Sequence, residues 1–257
     1  MGYMINRENY TNENSKVVDS WVKNGWLWSI PVSHEAFLKA KEGEYDIVLT
    51  PTKSVPHEWF GPLKGKRVLA LASGGGQQGP VFKALGADVT VLDFSDMQLE
   101  REKEVAIREG YEIKLVKADM SKPLPFADSS FDLIFNPVST CYIEKIEPLW
   151  KECYRILSKD GILLTGVDNG INYIVKDIDE REITHSLPFN PLEDHLLMEE
   201  LMKDDAGIQF SHTLGEHLTA LLNAGFKLTN IFEDTNGEGH LHELNIPTFA
   251  AIRVIKE

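Results

Sequence analysis

At 257 residues and 42% hydrophobic content, the chain is long enough to bury a full core and suits one α/β domain with an insertion better than two independent domains. Its 26 basic and 40 acidic residues leave a formal net charge of −14, which works against binding DNA, RNA or an anionic membrane and favours small-molecule or protein substrates. Cys141 and Cys153 form no Cys-x-x-Cys pattern, so both read as reduced thiols, and the polar opening from Met1 to Glu8 with no long apolar run later points to a soluble, cytoplasmic protein.

Residues 1–62 form a region apart, rich in aromatic residues and punctuated by proline. Ser15 to Asn24 predicts an amphipathic helix with Val17, Val18 and Trp21 on one side and Gly25 as its stop. Trp26, Trp28 and Pro31-Val32 lead into Ser33, which can cap a helix through about Ala40 before Gly43 ends it; Pro51, Pro56 and Pro62 then break the approach to the first strand. From Lys66, strands expected near 67–71, 89–92, 113–117, 131–135 and 161–166 alternate with helices near 77–85, 96–109 and 146–157, the layout of a mostly parallel, doubly wound sheet. Residues 168–212 read as an insertion after the fifth strand. Thr213-Leu214-Gly215-Glu216 is a capping-box start for a helix over 214–224 that Gly225 stops, and two strands near 226–233 and 247–255 follow. The segments expected are therefore a 1–62 helical and aromatic region and a 63–257 domain.

The stretch from Val68 to Gly76, followed one helix later by Val89 to Asp93, reads as a nucleotide-cofactor pocket. An apolar run suits a strand buried on both faces, glycines let the backbone turn sharply against a ligand, and an acid ending the second strand can hold a ribose. Gly74-x-Gly76-x-x-Gly79 with Asp93 satisfies the dinucleotide fingerprint, so a nicotinamide-dependent oxidoreductase is one reading.

The glycine string also resembles the first motif of class I S-adenosylmethionine (SAM) dependent methyltransferases, with Ala70, Ala72 and Ser73 standing where that family usually has Asp, Gly and Cys. The succession downstream looks like the same family's: Val116 to Met120 as a third strand ending in an acid, then Leu124-Pro125-Phe126, then Phe131-Asp132-Leu133-Ile134-Phe135-Asn136, and later Arg155-Ile156-Leu157 leading to Gly161-Ile162-Leu163-Leu164. The resemblance covers about 65–168 well and 211–255 more loosely, and is of the small-molecule, type 11/25-like kind. It implies a seven-stranded Rossmann-like sheet closed by a C-terminal antiparallel hairpin, SAM as cofactor with S-adenosylhomocysteine as product, and a small-molecule methyl acceptor. A non-catalytic SAM-binding protein is the remaining alternative.

By that resemblance Ala72, Ser73, Gly74, Gly75 and Gly76 meet the methionine part of the cofactor, and Asp93 and Phe94 the ribose and adenine. Ala118, Asp119 and Met120 bracket the adenine, while Asn136, Pro137 and Val138 face the methionine moiety and Tyr142 the acceptor pocket. A structural role competes at each: Asp93 as a helix cap, Asp119 as the start of a turn before Ser121. For a general base His34, His57, His185 and His212 are candidates, His34 and His185 preferred. Trp26, Trp28, Phe37 and Trp59 build either an apolar lid or the packing of the N-terminal helices. The acidic runs Asp177 to Glu182 and Glu193-Asp194 read as solvated faces. His240-Leu241-His242-Glu243 lacks the second cluster a zinc site needs, so no metal is expected.

Overall fold

The computed structural model describes residues 5–175, 179–203 and 205–257. Seven strands, β1 (Arg67–Leu71), β2 (Asp88–Asp93), β3 (Lys114–Lys117), β4 (Phe131–Asn136), β5 (Leu157–Asp168), β6 (Phe226–Asp234) and β7 (Phe249–Lys256), form one sheet in the order β3-β2-β1-β4-β5-β7-β6. The first five run parallel to one another, and β7 runs antiparallel between β5 and β6. This is the doubly wound, mostly parallel sheet with a closing antiparallel hairpin that the sequence predicts.

Side-chain alternation along the strands assigns the two faces. Leu69 and Leu71 of β1 join Leu92 and Ile134 in a core completed by Trp150, Cys153 and Leu221, whereas Val68 and Ala70 join Val89, Val91 and Phe135 in a second core. Helices α5 (Glu147–Ile156) and α7 (Leu214–Asn223) cover the first face; Leu149, Trp150, Cys153 and Ile156, at helical spacing, form the buried stripe of α5. Cys153 therefore faces the sheet, and both cysteines are free. The second face is covered by α3 (Gln78–Ala84) with α4 (Asp96–Glu109) beside it. Ala40, Leu49, Trp59 and Phe60 share that core, so the residues just before 62 pack as part of the same hydrophobic layer as β1. Gly166 of β5 is bare of a side chain because the Leu49 carbonyl lies where a Cβ would stand.

Helix α1 (Tyr10–Lys23) begins five residues before the expected Ser15. Its extra turn is held by tertiary contacts that hydrophobic periodicity does not register: Asn14 donates to the Ile208 carbonyl at 2.8 Å and accepts from the Ile208 N–H at 2.7 Å. Helix α2 (His34–Lys41) starts where predicted, with the Ser33 hydroxyl accepting from the Ala36 N–H, and the capping box at Thr213 is present with both of its bonds. β5 is longer than expected because Leu157 pairs with Phe131 before an irregular step at Asp160-Gly161. Two short helices were not expected, α6 (His195–Lys203) inside the insertion and α8 (Gly239–Glu243) between β6 and β7.

Within the insertion the acidic residues do more than face solvent. Glu193 pairs with Arg7, Asp194 accepts from the first N–H groups of α6, and Glu180 accepts from the Leu241 N–H; Asp177 lies outside the described residues. Among the described residues no helix is long and apolar enough to cross a membrane, and no group of three His, Cys, Asp or Glu side chains is placed to hold a metal ion.

Candidate functional site

β1, β2 and β4 all end at the same edge of the sheet, and the loops leaving them meet there, which is where ligands bind in open α/β folds. Ala72 leaves β1 with φ +46°, a left-handed conformation that a Cβ disfavours, and donates its N–H to the Leu92 carbonyl at 2.7 Å. This is the position where the resembling family carries glycine. The Gly74 N–H then donates to Asp93 Oδ2 at 3.0 Å, while Asp93 Oδ1 accepts from the Ser95 N–H at 3.0 Å. A Cβ on Gly74 would stand 2.6 Å from Gln98 Cβ, so the crossing of this loop over α4 requires glycine. The helix cap is Ser95, not Asp93.

Asp93 is 4% exposed, and burial pushes its carboxyl up to about 6 against the pull of the Ser95 and Gly74 N–H groups. It lines a slot of about 60 Å³ that Phe94, Ala118, Asp119 and Met120 also line. Asp119 takes the Ser121 N–H at 2.8 Å through Oδ1, the turn role weighed above. Two carboxylates and apolar side chains in one lining can pack on an apolar ring and accept hydrogen bonds from hydroxyl and amino groups.

The slot shares Trp26, Ala72, Gln98, Val138 and Tyr142 with the lining of a neighbouring cavity of about 700 Å³. Ser73, Gly74 and Pro137 border the cavity from the loops after β1 and β4, and His185, Asp168 and Tyr173 border it from the end of β5 and the insertion. Thus Ala72, Ser73, Gly74, Asp93, Phe94, Ala118, Asp119, Met120, Pro137, Val138, Tyr142 and His185 line one or other of two adjoining spaces.

Three expected site residues are not. Gly75 and Gly76 lie under the N-terminal strap: a Cβ on Gly75 would meet the Trp28 carbonyl at 2.8 Å, and the Val32 N–H donates to the Gly76 carbonyl at 2.8 Å. Their bareness serves this crossing rather than an open ligand face. Asn136 is fully buried and spends its amide inside the sheet, donating to the Leu71 carbonyl and Ser139 Oγ and accepting from Thr165 Oγ1. It ties β1, β4 and β5 together.

Of the histidines, His34 sits on α2 with a largely exposed ring whose Nδ1 is 2.8 Å from Glu109, away from the cavity, which corrects its assignment as a base. His57 stacks on Tyr45, and His212 is buried with Nε2 at 2.8 Å from the Ile143 carbonyl, so neither borders the cavity. Trp26 and Trp28 do line it, whereas Phe37 stacks on Tyr111 and Trp59 packs on Phe232. The aromatic set is therefore divided between cavity wall and core.

Asp168, Asn172, Tyr173, Gln98 and Gln209 are cavity residues that the sequence reading missed. Gln98 Oε1 is buried without a partner among the described residues, next to Gly74 and at the junction of slot and cavity. Its place one turn into α4, just after Asp93, was the available signal. The others lie in or beside the insertion, where no motif marks them.

A family profile described as a methyltransferase domain matches residues 69–165. A Bacillus subtilis protein named as an uncharacterized methyltransferase, YbaJ, is 39% identical over 249 residues, covering 95% of this chain and 97% of that one. A sterol 24-C-methyltransferase of Aspergillus fumigatus is 29% identical over 197 residues, 75% of this chain and 48% of its own length, so the chain spans about half of that relative. Among solved structures, a SAM-dependent methyltransferase from Mesorhizobium loti superposes with a TM-score of 0.63 at 21% identity, covering 77% of this chain and 94% of that one. The 1,6-didemethyltoxoflavin-N1-methyltransferase of Burkholderia thailandensis, solved with its acceptor and S-adenosylhomocysteine, covers 100% of this chain and 92% of its own with a TM-score of 0.60 at 15% identity. Near-full-length identity to a methyltransferase together with this sheet order places the chain in its family: it belongs to the class I SAM-dependent methyltransferases.

Proposed function

We propose that the protein is an enzyme that transfers a methyl group from SAM to a small molecule bound in the cavity, releasing S-adenosylhomocysteine. The observation that carries this is a slot lined by Asp93 and Asp119 that shares five wall residues, Trp26, Ala72, Gln98, Val138 and Tyr142, with a wide cavity, beside the carboxyl ends of β1, β2 and β4. The residues present fit an adenosyl ligand: Asp93 keeps lone pairs for ribose hydroxyls, Phe94 and Met120 supply apolar walls for adenine, and Asp119 an acceptor for its amine. The usual first-motif acid is Ala70 here, and Gln98, packed against the glycine loop, lines both slot and cavity.

Bound SAM supplies a methyl group already activated by a sulfonium. The protein then has to align and to exclude water. Val138 and Tyr142 line both compartments and so border the passage between cofactor and acceptor, and α1 and the 26–31 strap close the slot from outside through Ser15 on the Phe94 carbonyl and Asp19 on Ser95 and Met97. Of the four histidines considered as a base, His185 is the one that borders the cavity. The charge of −14 and a cavity of about 700 Å³ favour a small-molecule acceptor over nucleic acid or a membrane, in a cytoplasmic protein.

Calorimetric titration with SAM, S-adenosylhomocysteine and NADH in parallel tests the reading. Binding of the two adenosyl ligands alone is expected, with methyl transfer to a screened acceptor following. Binding of NADH alone would overturn it in favour of an oxidoreductase, and SAM binding without turnover on any acceptor would favour a non-catalytic role.

A further inference from the structure

We infer that the methyl acceptor is an amine carried on an aromatic or apolar frame and held through its nitrogen by Asp168. This rests on the methyltransferase reading above and adds the class of molecule that the cavity takes.

No lysine or arginine lines the cavity among the described residues. The carboxylates there are Asp168, at the end of β5, and Glu200, on α6 at the mouth. Among the described lining residues His185 is the one side chain that can carry a positive charge, so an entering carboxylate or phosphate would meet little counter-charge and would face Asp168, where like charges repel. An ammonium or neutral amine meets the reverse. The walls are aromatic: Trp26, Trp28, Tyr142 and Phe249 on the sheet side, and Tyr173 against Phe189 with ring centroids 5.1 Å apart on the insertion side. Such faces take flat apolar frames and attract cations.

Asp168 is 7% exposed and held in one orientation, with Oδ1 accepting from the Gly170 N–H at 2.6 Å and Oδ2 from Asn172 Nδ2 at 2.7 Å. Each oxygen keeps a further lone pair for a ligand N–H. Burial pushes this carboxyl up to about 6, against the Gly170 and Asn172 donors, so near neutral pH it is ionised yet ready to take a proton. An ammonium nitrogen must give up one proton before its lone pair can form the new N–C bond, and the carboxylate receives that proton.

Three ring-matched probes, tryptamine, tryptophol and indole-3-acetate, test this by calorimetric titration into the full chain, with and without saturating S-adenosylhomocysteine. Tryptamine is expected to bind at least about tenfold more tightly than indole-3-acetate, with tryptophol between. Asp168→Asn, which keeps an oxygen for the Gly170 N–H, should erase most of that preference while S-adenosylhomocysteine affinity stays unchanged. Glu200→Gln, a change at an exposed position, should lower the preference about twofold and carries the test if the Asp168 variant does not fold. Equal or tighter binding of indole-3-acetate, an unaltered preference in the variants, or no binding of any probe at millimolar concentration would overturn the inference. A tryptamine preference that persists without any S-adenosylhomocysteine binding would instead uphold the amine site and overturn the methyl-transfer reading.

Discussion

The Gly74 N–H donates to Asp93 Oδ2 at 3.0 Å, joining the loop after β1 to the end of β2 through one buried carboxylate. The acid that the sequence marks for a ribose is thus also the strut that positions the glycine loop. Both functions draw on the same two oxygens, which have lone pairs enough for backbone and ligand donors together.

Replacing Asp93 by Ala removes both. SAM affinity is expected to fall by about 1–3 kcal/mol, with a comparable loss of stability because the Gly74 and Ser95 N–H groups are left without their acceptor. Titration of SAM and thermal unfolding on the same variant separate the two losses, and unchanged affinity would remove the ribose role.

Glu102 supports the same loop two residues on. Fully buried on α4, it accepts from the Gly76 N–H at 2.8 Å, and its other oxygen has no partner among the described residues. Burial pushes its carboxyl up to about 8, opposed by the Gly76 bond and reinforced by Asp93, from an ordinary value of 4.5. The folded protein therefore keeps the proton, and this contribution to stability is complete below pH 4.5 and lost as pH rises through 8. Glu102→Gln stays neutral, so its stability relative to wild type should improve steadily from pH 4.5 to 8 in denaturant titrations. Parallel pH curves would show that the ionised carboxylate is accommodated.

His217 works in the opposite direction. Its ring is fully buried on α7 near His212 and Trp150, with both nitrogens unpartnered among the described residues, and burial lowers it to about 3. The unfolded chain takes up the proton first, so stability falls with pH between 6.5 and 3, by at most about 1.4 kcal/mol per pH unit from this group. His217→Phe should flatten the acid side of the stability curve. An unchanged acid slope would count against a buried neutral imidazole.

α1 holds the cofactor side through Asp19 and the insertion through Asn14, whose amide exchanges two bonds with Ile208. Asn14→Ala should cost about 2 kcal/mol and speed exchange of the Ile208 amide proton well beyond the global change, because both backbone groups lose their partner. Exchange that accelerates only in step with global stability would show that α1 does not hold the insertion locally.

His34 pairs with Glu109 on the outer side of α2 and α4. Its replacement by Ala should shift stability by no more than about 0.5 kcal/mol and leave ligand titrations unaltered. A fall in SAM affinity or turnover would return it to the site.

The core alternation was legible because it depends on local signals: the apolar runs at 67–71 and 131–135, Ser33 and Thr213 as caps, and Gly25, Gly43 and Gly225 as stops all act within a few residues of themselves. So was the edge of the sheet, since Asp93 ends β2, Asp119 follows the end of β3 by two residues and parallel pairing brings strand ends to one side. The sequence by itself determined the sheet, its family and the loops that meet at that edge. Tertiary structure alone decided what surrounds them. Gly75 and Gly76 serve the strap and not the cavity, Asn136 is consumed inside the sheet, and Asp168, Gln98 and Tyr173 come to the cavity from segments with no periodic signal. The physical reason is that a strand or cap is selected by its own neighbours in the chain, while a buried polar group is selected by whichever partner folding brings within hydrogen-bond reach, here as far apart as Asn14 and Ile208.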